Sequence, residues 1–88
     1  MMERRYSIRF AESAARSLAR LPAAIRLRVT TKIDALADNP HPAGTRKMKG
    51  DEHAYRLRVG DYRVVYDIME DVVVILILRV GHRKDVYR

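Results

Sequence analysis

The sequence predicts an α+β fold with the element order β-α-α-β-β-β, in which a helical hairpin packs on one face of a four-stranded, mostly antiparallel sheet. Apolar residues recur at helical spacing between residues 11 and 36, and apolar and polar residues alternate strictly over residues 55–59. A Gly60-Asp61 pair, typical of a two-residue hairpin turn, follows this second pattern. The chain has 88 residues, so we expect one domain over residues 1–88.

A separate sequence pattern predicts each of the first three secondary-structure elements. A short alternating segment at residues 6–10 predicts the first strand. Two apolar stripes predict two helices, because Pro22 suits the first turn of a helix and Asn39-Pro40 ends one. The stripes consist of Ala11, Ala14, Ala15, Leu18, Leu21, Ile25, Val29, Ile33 and Leu36.

A loop punctuated by Pro and Gly is predicted over residues 40–53, and its basic cluster is either a solvated surface or a functional segment. A hairpin follows over residues 55–68, and an aliphatic strand over residues 72–80. That strand is apolar on both faces and is expected inside the sheet. Two explanations stay open for its second face: a partner's amphipathic segment covers it, or the tail and the basic loop do.

The composition excludes several classes of functional site and favours one class of partner. Without cysteine the chain has no disulfide, thiolate zinc site, redox motif or cysteine nucleophile. No metal site or cofactor is expected. A net charge of +7, carried mostly by Arg, favours a polyanionic partner. Neither a signal peptide nor an apolar run of membrane-spanning length is evident, so we expect a cytoplasmic protein without a membrane partner.

The hairpin turn sets the strand register. If Gly60-Asp61 form the loop, Arg58 stands opposite Arg63, and both share a face with Arg56. The other face is apolar and is expected beneath the helices. Facing like charges destabilise a sheet by a few tenths of a kcal/mol, whereas a phosphate between two guanidiniums makes charge-assisted hydrogen bonds. The pair therefore favours an anion site over side chains that splay into solvent or pair with a nearby Asp.

The tail extends this basic face. Gly81 can release the last strand, and a polar segment with four residues of interest follows: His82, Arg83, Lys84 and Tyr87. We therefore expect the tail to join the arginines of the hairpin.

These residues resemble a known family. The segments YRLRVGDYRVVYDI, GHRKDVYR and NPHPAGTRKMKG resemble the RelE/ParE toxin superfamily of type II toxin–antitoxin systems over essentially the whole chain. The ending with Arg83 and Tyr87 resembles the RelE-type mRNA interferase branch, since gyrase-directed ParE relatives usually lack this pair.

The resemblance implies a RelE-like fold and a toxin that cleaves mRNA in the ribosomal A site without metal, inhibiting translation and growth. It also implies a cognate antitoxin, RelB-like or of another family, encoded by the adjacent gene, and a toxin–antitoxin complex that binds operator DNA through the antitoxin. Carried over by position, the catalytic residues are Arg56, Arg58, Arg63, Arg83 and Tyr87. The expected contacts to RNA or the ribosome are Arg46, Lys47, Lys49, Lys84 and Arg88.

The chemistry of RNA cleavage assigns roles. Guanidiniums can stabilise the charge of the phosphorane, but Arg stays protonated near neutral pH and is neither acid nor base. Tyr87 is therefore the candidate base, although its ring could equally stack on a nucleobase. The best-known relatives carry Lys where this chain has Arg56 and Arg58, so the proton donor stays open. The alternatives are Lys47, Lys49, Lys84 and His82, while His41 and His53 are expected to be surface residues.

Two other functions fit parts of the pattern. A ParE-like toxin would inhibit DNA gyrase without nuclease activity and would need no Arg/Tyr pair. A plain basic nucleic-acid-binding module would bind free nucleic acid tightly and in a salt-sensitive manner, without toxicity.

Overall fold

The computed structural model describes residues 5–43, 45–48 and 54–86, which form an α+β fold of helices on a mixed sheet. The elements in chain order are β1 (Ser7–Phe10), α1 (Glu12–Ala19), α2 (Ala23–Ala35), β2 (Thr45–Lys47), β3 (Ala54–Val59), β4 (Tyr62–Met69), β5 (Val74–His82) and α3 (Arg83–Val86). The predicted fold class is confirmed. None of the helices in these ranges is long and apolar enough to span a membrane.

The sheet has five strands in the order β1-β5-β4-β3-β2. Among the strands of the described residues, β1 and β5 pair in parallel, and the other three pairs are antiparallel. The prediction of four strands was wrong by one, because β2 lies within the segment predicted as an irregular loop. The last strand also begins later than predicted: Val72 and Val73 lie in the turn before it, and Val73 has a φ of 55°.

The helices begin and end close to the predicted breakers. Pro22 directly precedes α2 and its carbonyl accepts the first helical hydrogen bond, from Arg26 at 2.8 Å. α2 ends at Ala35, ahead of the predicted stop, and in the turn that follows the side chain of Asn39 accepts a hydrogen bond from the backbone N–H of His41 at 3.1 Å.

The core lies between the helices and one face of the sheet. α1 packs on β5, and α2 packs on β3 and β4. The predicted apolar face of the hairpin points into this core: Leu57 and Val64 are almost fully buried, and Tyr55 and Tyr62 pack against the buried cluster. Since alternate side chains point to opposite faces, the arginines of the same strands lie on the side away from α1 and α2.

A buried tyrosine holds the chain between α2 and β2. The hydroxyl of Tyr66 donates a hydrogen bond to the Pro40 carbonyl oxygen at 2.6 Å, and Thr45 Oγ1 lies 3.4 Å from the same hydroxyl. Burial raises the pKa of Tyr66 above its ordinary value of 10.0, and the hydrogen bond with Thr45 offsets part of this effect. Because Thr45 is the first residue of β2, this anchor places Arg46 at the sheet edge.

Candidate nucleic-acid interface

The basic face of the sheet contains the arginine pair that the hairpin register predicts. Arg58 is paired with Arg63 across β3 and β4, one step from the Gly60-Asp61 turn. Arg58 is exposed, whereas Arg63 is only 8% exposed. In the part of the chain that the structure describes, neither arginine forms an ion pair with Asp61 or Asp67. The predicted register, with Arg58 directly opposite Arg63, is confirmed.

A second pair of facing arginines lies in the next row of the sheet. Arg46 on β2 is paired with Arg56 on β3. Sequence reasoning placed Arg46 in a loop and missed this pairing, because a three-residue edge strand of Thr, Arg and Lys has no apolar alternation. The sheet therefore carries two cross-strand arginine pairs on adjacent rows.

A β-bulge adds a further arginine. In the β4–β5 register, Tyr66 is paired with Ile77 and Val65 with Arg79, so Leu78 has no partner on β4. Uninterrupted alternation would place Arg79 on the same face as Ile75 and Ile77, beneath the helices. The extra residue instead puts Arg79 on the basic face and returns Val80 to the core.

The conformation of Arg63 is fixed by its own turn. Its Nη1 donates to the carbonyl oxygens of Gly60 at 3.2 Å and Tyr62 at 3.1 Å. Both hydrogens of Nη1 are thereby used, which leaves the donors on Nε and Nη2 outside these two bonds. Gly60 has a φ of 62°, the left-handed conformation that a two-residue hairpin turn requires and that glycine adopts without strain.

The same turn positions Arg83. The backbone N–H of Arg83 donates to the carbonyl oxygen of Asp61 at 2.9 Å, at the point where β5 ends and α3 begins. Arg63 and Arg83 are twenty positions apart in the sequence, yet both are tied to carbonyl groups of the Gly60-Asp61 turn. The exposed Arg83 side chain therefore belongs to the same end of the sheet as Arg58 and Arg63.

The four candidate proton donors lie in different places. Lys47 is paired with Tyr55 and His82 with Tyr62, so both lie on the helix side of the sheet. The His82 ring also contacts the Tyr62 ring edge-on at 5.5 Å, and its Nδ1 accepts a hydrogen bond from the Lys84 N–H at 3.2 Å. Lys84 is exposed in α3, directly after Arg83. Lys49 lies outside the described residues.

Of the remaining residues singled out in the sequence, one lies in a described range and three do not. His41 is exposed, as expected, and its ring contacts Tyr55 edge-on at 5.1 Å. Tyr87, Arg88 and His53 lie outside the described residues. The structure thus brings together Arg58, Arg63 and Arg83 at the turn and Arg46, Arg56 and Arg79 on the next row.

The chain is similar to known toxins in sequence and in fold. Residues 8–87 match the family model described as the ParE toxin of the type II toxin–antitoxin system parDE. A putative RelE-like toxin protein of Escherichia coli is 32% identical over 87 residues, which is 94% of this chain and 90% of that protein. Toxin RelG of Mycobacterium tuberculosis is 33% identical over 84 residues, covering 94% of this chain and 97% of that protein.

Solved structures of similar toxins support the same assignment as the sequence comparisons. The RelBE2 toxin–antitoxin complex of M. tuberculosis matches with a TM-score of 0.79 and 30% identity, covering 90% of this chain and 99% of that chain. The archaeal RelE–RelB complex of Pyrococcus horikoshii matches with a TM-score of 0.79 and 30% identity, covering 96% and 99%. The chain belongs to the RelE/ParE superfamily of type II toxin–antitoxin toxins and is a RelE-like member of it.

Proposed function

We propose that this RelE-like toxin is an endoribonuclease that cleaves mRNA in the ribosomal A site by attack of a ribose 2′-OH on its own phosphate. The observation that carries the proposal is the convergence of Arg58, Arg63 and Arg83 at the Gly60-Asp61 turn, where Arg58 and Arg63 lie on the sheet face turned away from α1 and α2. Facing guanidiniums cost stability in the free protein, and a phosphate bound between them removes that cost.

The three arginines would divide the charge of the phosphorane between them. Arg63 is preorganised, because two carbonyl oxygens hold its Nη1 and the side chain is almost completely buried. Arg58 and Arg83 are exposed and can close on the phosphate from β3 and from α3. A preorganised donor aimed at developing negative charge stabilises a transition state by about 3 kcal/mol. These guanidiniums would supply the positive charge without a metal ion.

Proton transfer needs residues other than arginine. For the base we propose Tyr87, because arginine stays protonated near neutral pH. For the proton donor we propose Lys84, which follows Arg83 in α3, whereas Lys47 and His82 lie on the helix side of the sheet. Lys49, outside the described residues, is the alternative donor.

The partners follow from the same proposal. The ribosome would align the 2′-OH with its phosphate, which explains why a protein with few acid–base groups can catalyse the reaction. The complexes of related toxins with RelB antitoxins support a RelB-like antitoxin, encoded by the adjacent gene, as the inhibitor. Such a toxin acts in the cytoplasm, where its substrate is.

The test is expression of the chain with mapping of RNA 5′ ends. We expect growth arrest and cuts within codons of translated messages, with few cuts in untranslated RNA. Arg63→Ala and Arg83→Ala should each lower cleavage by about 100-fold or more. Arg20→Ala, which removes an exposed charge just after α1, is the matched control and should cleave like the wild type. Unchanged cleavage in Arg63→Ala/Arg83→Ala would refute the proposed site.

A gyrase-directed activity is the second candidate, because the matching family model is described by the ParE toxin. It predicts inhibition of DNA supercoiling by the purified protein while mRNA stays intact. That pair of results would replace the nuclease proposal, and the same arginine variants would then show whether the basic face contacts gyrase.

A further inference from the structure

A pocket of about 230 Å³ lies on the helix side of the Gly60-Asp61 turn. Two residues of α2 and four of the hairpin line it: Ile25, Arg28, Val59, Gly60, Asp61 and Tyr62. Val59 is almost completely buried, and Ile25 and Tyr62 are half-buried, so these three side chains form an apolar floor. The pocket therefore shares its turn with Arg63 but lies on the other face of the sheet.

Two opposite charges line this pocket without pairing with each other. Arg28 and Asp61 are both exposed, and among the described residues neither side chain makes a hydrogen bond or an ion pair. The guanidinium of Arg28 lies across Gly60: its Nη2 is 3.4 Å, and its Nη1 3.9 Å, from the point that a Cβ on this glycine would occupy. The pocket thus offers a ligand guanidinium donors and carboxylate acceptors over an apolar floor.

We infer that this pocket binds one unstacked guanine base of the RNA whose phosphate lies at Arg58 and Arg63. The inference rests on the proposed function, since it assigns a base-specific contact to the same substrate. It makes Arg28 and Asp61 residues that determine where the toxin cuts.

The mixed charge favours a ligand that both accepts and donates hydrogen bonds. A phosphate would meet the Asp61 carboxylate, and an apolar side chain of a protein partner would leave both charges without a partner. An unpaired RNA base has apolar faces and polar edges, and it is recognised by stacking on aromatic rings and by hydrogen bonds to those edges. The pocket is smaller than the about 300–1,000 Å³ of sites for drug-sized ligands, so it suits a single base.

Guanine matches the two charged groups better than the other bases do. Its O6 and N7 atoms accept a bidentate pair of hydrogen bonds from arginine, which is the commonest base-specific contact of this side chain. Its N1–H and N2–H groups are adjacent donors, which match the two oxygens of a carboxylate. Adenine, cytosine and uracil each lack this combination of paired acceptors and paired donors.

The position of the turn lets one RNA strand reach both places. The turn is the end of the hairpin, where Arg63 lies on one face of the sheet and Tyr62 on the other. The Gly60 carbonyl holds Arg63 on the basic face, and the guanidinium of Arg28 covers the same glycine from the helix side. A strand bound by its phosphate at Arg63 can therefore place a base in the pocket by passing around the end of the hairpin.

The experiment measures which base lies beside each cut. RNA 5′ ends are mapped in cells that express the toxin, and the readout is the ratio of cuts with guanine to cuts with another base at each position around the cut. For the wild type we expect a preference for guanine of about tenfold or more at one fixed position.

Asp61→Asn gives the sharpest readout. The backbone carbonyl of residue 61 still accepts the N–H of Arg83, so the scissile site keeps this hydrogen bond. An amide has one acceptor and one donor, the pair that matches adenine, so the preference should move from guanine towards adenine at the same position. Asp34→Asn makes the same change of charge at an exposed position of α2 outside the pocket, and it should keep the preference for guanine.

Variants of Arg28 test the other side of the base. Arg28→Ala should lose the preference for guanine, and Arg28→Lys should recover only part of it, because a single ammonium cannot replace the fork. Lys32→Ala, which removes an exposed charge one turn further along α2, is the matched control and should keep the preference. Thermal melting of each variant checks that it is folded.

A binding assay separates failure of the pocket from failure of the nuclease. The trinucleotides UUU, GUU, UGU and UUG, 2′-O-methylated so that they cannot be cleaved, are titrated into the purified toxin. At least one RNA with guanine should bind the wild type about tenfold more tightly than UUU, and Arg28→Ala should remove this difference.

Each outcome bears on a stated claim. If messages are cut and both pocket variants keep the wild-type base preference, the pocket is refuted while the nuclease stands. If the variants weaken binding of the antitoxin and leave the base preference unchanged, the pocket belongs to a protein interface and the inference is also refuted. If no message is cut but guanine strengthens binding through Arg28, the nuclease proposal fails and the base pocket stands. If neither cleavage nor a guanine effect on binding is found, both fail.

Discussion

The backbone N–H of Arg83 donates a hydrogen bond to the carbonyl oxygen of Asp61 at 2.9 Å. This bond joins the start of α3 to the β3–β4 turn, whose Gly60 carbonyl also holds the guanidinium of Arg63. A displacement of this one turn should therefore disturb two arginines that are far apart in the sequence.

Gly60→Val tests this dependence. A branched residue at a φ of 62° is strained, and we expect a loss of about 2 kcal/mol in the free energy of unfolding together with a large loss of cleavage. Gly60→Asn is the matched control, since Asn tolerates this conformation. A Cβ at this position lies 3.4 Å from Arg28 Nη2, an ordinary contact that both variants share. Urea unfolding and a cleavage assay measure the two effects, and equal activity of both variants would contradict the role of the turn.

Arg63→Lys should inactivate the toxin although it preserves the charge. Arg63 uses Nη1 for two carbonyl oxygens and keeps two further nitrogens, whereas Lys has one nitrogen, which cannot hold both carbonyls and also present a bidentate fork to a phosphate. We expect cleavage to fall by about 100-fold with little change in melting temperature. Single-turnover cleavage on ribosomes gives the rate, and near wild-type rates in Arg63→Lys would show that charge alone is sufficient.

Arg58→Gln should stabilise the free protein while it lowers activity. The substitution removes one of two facing like charges, so we expect a gain of about 0.3 kcal/mol, or about 2 °C in melting temperature. The gain should shrink in 1 M salt, where charges are screened. Arg20→Gln controls for the change in net charge. A destabilised Arg58→Gln variant would mean that the facing pair carries no electrostatic strain.

Tyr66→Phe should change the response to alkaline pH. Below pH 10 the phenol is protonated in both states, and the variant should be about 1 kcal/mol less stable because the Pro40 carbonyl loses its donor. Burial raises the folded-state pKa of Tyr66, so above pH 10 the unfolded wild type releases this proton first. The wild type then loses stability by up to about 1.4 kcal/mol per pH unit relative to the variant, and the difference should narrow. Urea unfolding between pH 8 and 11 measures the difference in stability between the wild type and Tyr66→Phe. A difference that stays constant over this range would contradict a raised pKa of Tyr66 in the folded state.

The hairpin was predictable because its turn is local. A two-residue Gly-Asp loop fixes which residues face each other, and the register from Val59–Tyr62 to Tyr55–Tyr66 is as predicted. Predicting that Arg58 is paired with Arg63 needed no tertiary information. By contrast, β2 is held by pairing with β3 and by the buried hydroxyl of Tyr66, both of which depend on residues distant in sequence.

The orientation of Arg79 was not predictable for a different reason. All seven residues from Val72 to Leu78 are aliphatic, so the segment contains no polar residue that would reveal where the alternation is interrupted. The hydrogen bond between Arg83 and Asp61 was also not predictable from the sequence. It joins two backbone groups, so it does not depend on the type of side chain at either position.

The bulge also bears on how sequences of this superfamily should be aligned. Leu78 has no partner on β4, so deleting it would leave Ile77 and Val80 in the core and Arg79 on the opposite face. A relative one residue shorter here can therefore keep the same arginine pointing in the same direction. An alignment guided by structure should place a single-residue gap at Leu78 and match Arg79 with the cation of the shorter relative, whereas an ungapped alignment would pair residues of opposite faces.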